Sequence, residues 1–72
     1  MDVPIDTIAA VFKTLSDTNR LRIIRVLTTD CESVSAIVEA TGLSQPLVSH
    51  HLNVLRKHGL ARAERRGAYI YY

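Results

Sequence analysis

Between Thr41 and Pro46 the chain carries a helix stop and a helix start only a few residues apart, and this stretch constrains the fold more than any other. Gly42 can take the left-handed conformation that ends a helix at little steric cost, and Leu43 can then pack back on what precedes it. Ser44 is placed to cap a new helix. Pro46 falls in that helix's first turn, where its missing amide hydrogen has no intrahelical partner to lose. Before the turn, Val34, Ile37 and Val38 form the apolar set of a short helix running from Ser33 or Val34 to Ala40. After it, Val48, Leu52 and Leu55 form the inward stripe of a longer helix from Gln45 to about His58, which Gly59 ends. Two apolar stripes flanking so tight a turn must pack on each other with their helices crossed. The spacing is that of a helix-turn-helix, in which the first helix braces the second and the second's N-terminal half projects outward.

The rest of the chain is organised around that pair. Its 72 residues allow one small domain and no second one. A first amphipathic helix begins near Pro4 with Ile5, Ile8, Ala9, Phe12 and Leu15 at helical spacing. Ser16 and Asp17 stop it and cap a second helix to about Thr29, whose apolar face is Leu21, Ile23, Ile24 and Leu27 and whose polar side carries Arg22 and Arg25. Thr28 to Ser33 reads as a polar loop. From Leu60 the period changes to two: Leu60, Arg62 and Glu64, then Ala68, Ile70 and Tyr72, interleave with Ala61, Ala63, Tyr69 and Tyr71. Arg65-Arg66-Gly67 interrupts the alternation, which predicts a hairpin with a positively charged tip. The expected fold is mainly α with a small β-hairpin, four helices then a two-stranded wing. An aromatic strand is an unusual terminus, and a further C-terminal element is expected to be missing from the chain.

Charge is segregated along this framework. Residues 1–42 carry four basic and six acidic side chains, whereas residues 43–72 carry Arg56, Lys57, Arg62, Arg65 and Arg66 against Glu64 alone. A positive second half favours a polyanion, because a cationic face gains by releasing the counterions condensed on phosphates. Cys31 is the single cysteine, which excludes an internal disulfide, and no apolar run approaches the roughly 18 residues of a membrane span. With no charged-then-apolar leader, the chain is expected to be soluble and cytoplasmic.

The outer face of the fourth helix carries Pro46, His50, Asn53 and Lys57, with Ser49 at its edge. His50 and His51 diverge by about 100°, so they cannot close on one ligand, and His51 is expected to pack beside Leu52 and Leu55. His51 and His58 lie roughly 10.5 Å apart along the axis, too far to share one metal ion. No metal site and no cofactor are expected. An enzyme is excluded by the lack of a nucleophile paired with a base, the lack of a glycine-rich phosphate loop, and too little chain to enclose a pocket.

The runs Leu15-Ser16-Asp17-Thr18-Asn19-Arg20-Leu21-Arg22-Ile23-Ile24, Gly42-Leu43-Ser44-Gln45-Pro46-Leu47-Val48-Ser49-His50-His51-Leu52-Asn53-Val54-Leu55-Arg56, Gly59-Leu60 and Gly67-Ala68-Tyr69-Ile70-Tyr71-Tyr72 resemble the ArsR/SmtB family of winged-helix repressors. The resemblance covers nearly the whole chain and is most specific at Ser44-Gln45 and Val48-Ser49-His50-His51-Leu52. It implies a homodimeric repressor that binds an inverted-repeat operator on double-stranded DNA and is released by a metal, metalloid or redox signal. It also implies pairing through the first helix and a missing C-terminal helix.

The resemblance places Gln45, Ser49 and His50 facing DNA and Arg65 and Arg66 at the wing, and the side-chain chemistry agrees. Gln45 can bind adenine bidentately, Ser49 can donate to a phosphate or base edge, and His50 can donate to phosphate or to guanine acceptors. Ser44 either sits near a phosphate or simply caps its helix. Arg56 and Lys57 either contact phosphate or end the helix in solvent, while Arg22 and Arg25 fit solvent or an acidic neighbour better. Soft-metal members of the family carry cysteines where this chain has Ser33 and Ser35, and hydroxyls bind soft metals poorly. Cys31 is then the candidate for a redox sensor. A winged helix used for protein contact is the alternative. It calls for apolar anchors on the outer face, where Leu47 alone qualifies.

Overall fold

The computed structural model describes residues 4–67 and 69–72, with Tyr69 described by its backbone alone. Ala68, expected in the second strand, lies outside the described residues. The elements follow the expected order: α1 (Ile5–Leu15), α2 (Thr18–Leu27), α3 (Val34–Thr41), α4 (Gln45–Lys57), β1 (Glu64–Arg66) and β2 (Tyr69–Tyr71). Each helix boundary has a local cause. Asp17 accepts from the amides of Asn19 and Arg20 at 2.9 and 3.1 Å, Ser33 from that of Ala36 at 3.2 Å, and Ser44 from that of Leu47 at 3.3 Å. These contacts satisfy amides that a helix start leaves free. Gly42 ends α3 in the left-handed region at φ 73°, its amide donating to the Val38 carbonyl. After α4, Gly59 at φ 72° lets its own amide reach the Arg56 carbonyl and that of Leu60 reach Leu55. This paired closure satisfies the last carbonyls of the helix.

The core lies among α2, α3 and α4. Ile23, Ile37, Val48, Leu52 and Leu55 are fully buried, surrounded by Ile24, Val26, Leu27, Val34, Val38, Leu43, Ala61 and Tyr72. Leu21 departs from the expected apolar face of α2 and is about half exposed, on the side of Thr18, Arg22 and Arg25. The apolar stripe of α1 also faces outward. Ile5 is 73% and Phe12 69% exposed, while the fully covered residue of α1 is Thr14, whose hydroxyl donates to the Ala10 carbonyl at 2.9 Å.

The wing differs from expectation in two ways. Strand β1 pairs antiparallel with β2 in the register Glu64 with Tyr71, Arg65 with Ile70 and Arg66 with Tyr69. Arg65 and Arg66 therefore belong to the strand rather than to the turn, and Gly67 begins the turn. The two-residue alternation through residues 60–63 is not strand, because Leu60 to Ala63 is spent on leaving α4. Secondly, the segment read as a polar loop before α3 pairs with β2. Glu32 exchanges two backbone hydrogen bonds with Tyr72, at 2.8 and 3.0 Å, and Ser33 bridges Tyr71. This third, short pairing seats Tyr72 against the core and ties the wing to the start of α3.

Candidate nucleic-acid interface

The core residues Val48, Leu52 and Leu55 hold α4 from behind, so its other face is left to solvent. Ser44, Gln45, His50, Asn53 and Lys57 are exposed on it, and Ser49 is half-buried at its edge. This face is polar along its length. Leu47 is half-buried, so the single apolar anchor that a protein-contact surface would have here is partly withdrawn. At the N-terminus of α4, Pro46 lacks an amide hydrogen and the amide of Leu47 is taken by the Ser44 hydroxyl. Of the first three amides, that of Gln45 is left for an anion, and the Ser44 hydroxyl proton remains available to a second acceptor. Capping is thus the role the structure gives Ser44, without consuming its capacity to donate.

His50 and His51 part company as adjacent helical residues must. His50 is exposed, while His51 is 4% exposed, with ring centroids 5.4 Å apart. Behind His51 lies a polar junction that the sequence pattern did not reveal. The Arg20 Nε–H donates to His51 Nδ1 at 3.1 Å and Nη1 donates to the Thr14 carbonyl at 3.2 Å. One guanidinium therefore links the end of α1, the start of α2 and the middle of α4. Nδ1 acts as an acceptor, so neutral His51 carries its proton on Nε2, a buried atom with no partner among the described residues. Burial holds the His51 pKa below the ordinary histidine value; Asp17 opposes this, and Arg20 and His50 add to it. The amides donated by Arg20 and Asn19 hold the Asp17 carboxyl below its usual range, with the charges of His51 and Arg20 helping. The signal for this junction was present only as Arg20 following Asp17 at a spacing of three, which reads equally as a solvated helix side.

On the wing, Arg65 and Arg66 point to opposite faces, as successive strand residues do. Arg66 shares its face with Glu64 and Tyr71: its guanidinium lies 3.1 Å from the carboxylate and 5.2 Å from the ring centroid. The Glu64 hydrogen bond raises the Arg66 pKa further above its ordinary value. Among the described residues, Arg65 has the Gly67 carbonyl alone as a partner, at 3.4 Å. Both are exposed, but Arg65 is the freer charge.

The residues considered for sensing are not gathered into a site. Ser33 spends its hydroxyl on capping α3, and Ser35 is exposed, so this pair does not fit a soft metal. Among the described residues no three His, Cys, Asp or Glu side chains are placed to hold a metal ion. Cys31 is a free, exposed thiol beside Leu27 and Tyr71 on a groove of about 530 Å³. No described helix is long and apolar enough to cross a membrane.

Comparison with known proteins places these features in a family. Residues 17–63 match the model of a bacterial regulatory protein family, arsR. The transcriptional repressor SdpR of Bacillus subtilis is 37% identical over 62 residues, which are 86% of this chain and 69% of that protein. The cadmium resistance transcriptional regulatory protein CadC of Listeria innocua is 37% identical over 67 residues, 92% of this chain and 56% of that one. Among solved structures, the homodimeric winged helix-turn-helix DNA-binding domain of a possible ArsR-family regulator from Mycobacterium bovis superposes with a TM-score of 0.88. It is 37% identical, and the match covers 94% of this chain and 63% of that one.

Proposed function

Because the chain belongs to the arsR family of bacterial regulatory proteins, we propose that it is a transcriptional repressor whose homodimer sets two copies of α4 in successive major grooves of an inverted-repeat operator. The observation that carries this reading is the exposed polar face of α4, held rigid by a fully buried stripe on its other side. In it, Gln45 reads a base edge, and Ser49 and His50 contact base or phosphate. Ser44 and Lys57 bind the backbone, and Arg65, with Arg66, reaches the backbone or minor groove from the wing. The outward apolar stripe of α1 supports pairing through this helix, with a C-terminal helix in a longer chain as the second pairing element. The polar character of α4's outer face disfavours a protein-contact role. Catalysis forms no part of the reading, and the cytoplasm is the compartment where it would act.

The resemblance to the family implies release by a metal, metalloid or redox signal. Ser33 and Ser35 do not suit a soft metal, so Cys31, with a second thiol from the other subunit or a longer chain, is the redox candidate.

The test is selection from a pool of random duplexes followed by anisotropy titration. An enriched inverted repeat is expected, and Gln45→Ala should cost about 1–3 kcal/mol on it while relaxing preference at one position. Arg65→Ala should weaken all sequences alike, and by more than Arg66→Ala, because Glu64 already offsets part of the Arg66 charge. Salt-insensitive association with no enriched sequence would overturn the repressor reading.

A further inference from the structure

A second cationic surface lies at the opposite end of α4 from Gln45. The last two turns of the helix and the segment leading into β1 border a shallow, open groove of about 520 Å³ lined by Asn53, Arg56, Lys57, Ala61, Arg62 and Ala63. Three of the six are cationic and none is acidic. The ion pair found among the described residues, Arg66 with Glu64, lies in the strand beyond, so Arg56, Lys57 and Arg62 carry uncompensated charge. Nor are these cations occupied in closing the helix. The amides of His58, Gly59 and Leu60 already reach the carbonyls of Val54, Arg56 and Leu55. Ala61 packs on the core while Ala63 stays exposed, and their small side chains flank Arg62 without filling the space between it and α4. The groove is also continuous with the polar face already described, because Asn53 and Lys57 follow His50 at helical spacing on the same side.

From these features we infer that the groove is a phosphate-binding seat for the DNA backbone, with Arg62 and Arg56 as forked donors, Lys57 as a point charge and Asn53 as a neutral amide donor. The inference rests on the DNA-binding reading above and adds Arg62, which lies on neither the recognition helix nor the wing strands. Guanidinium forks match two phosphate oxygens at once, whereas an ammonium holds one direction less strictly. Gln45 and Lys57 are 12 residues apart on α4, roughly 18 Å at the helical rise. Base contacts at one end and backbone contacts at the other then fix the angle at which the helix lies in the groove. Such contacts set register and affinity and carry no sequence information.

Anisotropy titration of a mixed-sequence duplex over about 50–200 mM salt reads the effect directly. The comparison is between the unaltered chain, Arg62→Gln, the double variant Arg56→Gln with Arg62→Gln, and Arg25→Gln on the exposed side of α2, which makes the same charge change outside the groove. Arg25, Arg56 and Arg62 are all exposed, and matching thermal melts check that the variants fold. Arg62→Gln should lower the slope of log affinity against log salt by about 1 and the double variant by about 2, with the order of preferred sequences unchanged. Arg25→Gln should leave the slope as it was. Equal slopes for the groove variants and the unaltered chain, or an equal drop for Arg25→Gln, would overturn the seat while leaving DNA binding standing. Absence of salt-dependent duplex binding by the unaltered chain would overturn both readings. Inorganic phosphate at matched ionic strength should displace the duplex no better than chloride. Competition by phosphate, together with a duplex salt slope that Arg62→Gln leaves unchanged, would make the groove a site for the free anion and end its assignment to the backbone.

Discussion

Helices α1 and α4 are similar in length, at 11 and 13 residues, and both are amphipathic, yet they use their apolar faces in opposite ways. In α4 the stripe Val48, Leu52 and Leu55 is fully buried and the polar face is presented outward. In α1 the apolar residues Ile5 and Phe12 are presented and Thr14 is covered. Helical periodicity states that a face will be covered but not by what. For α4 the cover is the rest of this chain, whereas for α1 the packing on α2 uses the other side of the helix and leaves the apolar one without a partner among the described residues.

Leu52→Ala should destabilise the chain by about 2–5 kcal/mol in urea unfolding, through lost transfer energy and the cavity left behind. Phe12→Ala should shift the same transition by no more than about 0.5 kcal/mol at low protein concentration. It should weaken self-association in sedimentation, and a loss comparable to that of Leu52→Ala would show that α1 belongs to the core after all.

Arg20 makes a polar tie between α1 and α4, through the Thr14 carbonyl and His51. The His51 pKa is held below its ordinary value in the fold, so the unfolded chain binds more protons as pH falls. Stability should therefore be full above the unfolded histidine value of about 6.5 and should decline below it. The smallest expected effect is this decline, read as a falling urea midpoint between about pH 6.5 and 5. It should be largely absent in His51→Gln. The Asp17 carboxyl is held low as well, so its contribution is lost at still lower pH, as pH falls from the ordinary carboxylate range through its depressed folded value. An unchanged profile in His51→Gln would assign the decline to another group.

Much of the candidate interface was legible because it depends on local rules. Caps at Asp17, Ser33 and Ser44 and the stop at Gly42 place α4, and the 3.6-residue period sorts Val48 from His50 without reference to any other element. The wing was less legible. Arg65 and Arg66 read as a turn because they interrupt an alternation, but strand pairing is decided by partners distant in sequence, and the register with Ile70 and Tyr69 puts both in β1. Leu21 read as apolar face because its hydropathy says nothing of whether a neighbouring helix reaches it.

The number and order of helices, the tight turn between α3 and α4, and the polar face that α4 presents all follow from contacts within a few residues, and so can be read along the chain. The pairing of Glu32 with Tyr72, the reach of Arg20 to His51 and the placing of Arg62 beside Arg56 and Lys57 depend instead on how the helices pack. Those partners are separated by between 5 and 40 residues, and what brings them together is the closing of one apolar core around Ile23, Ile37 and Leu52, which no short window of residues contains.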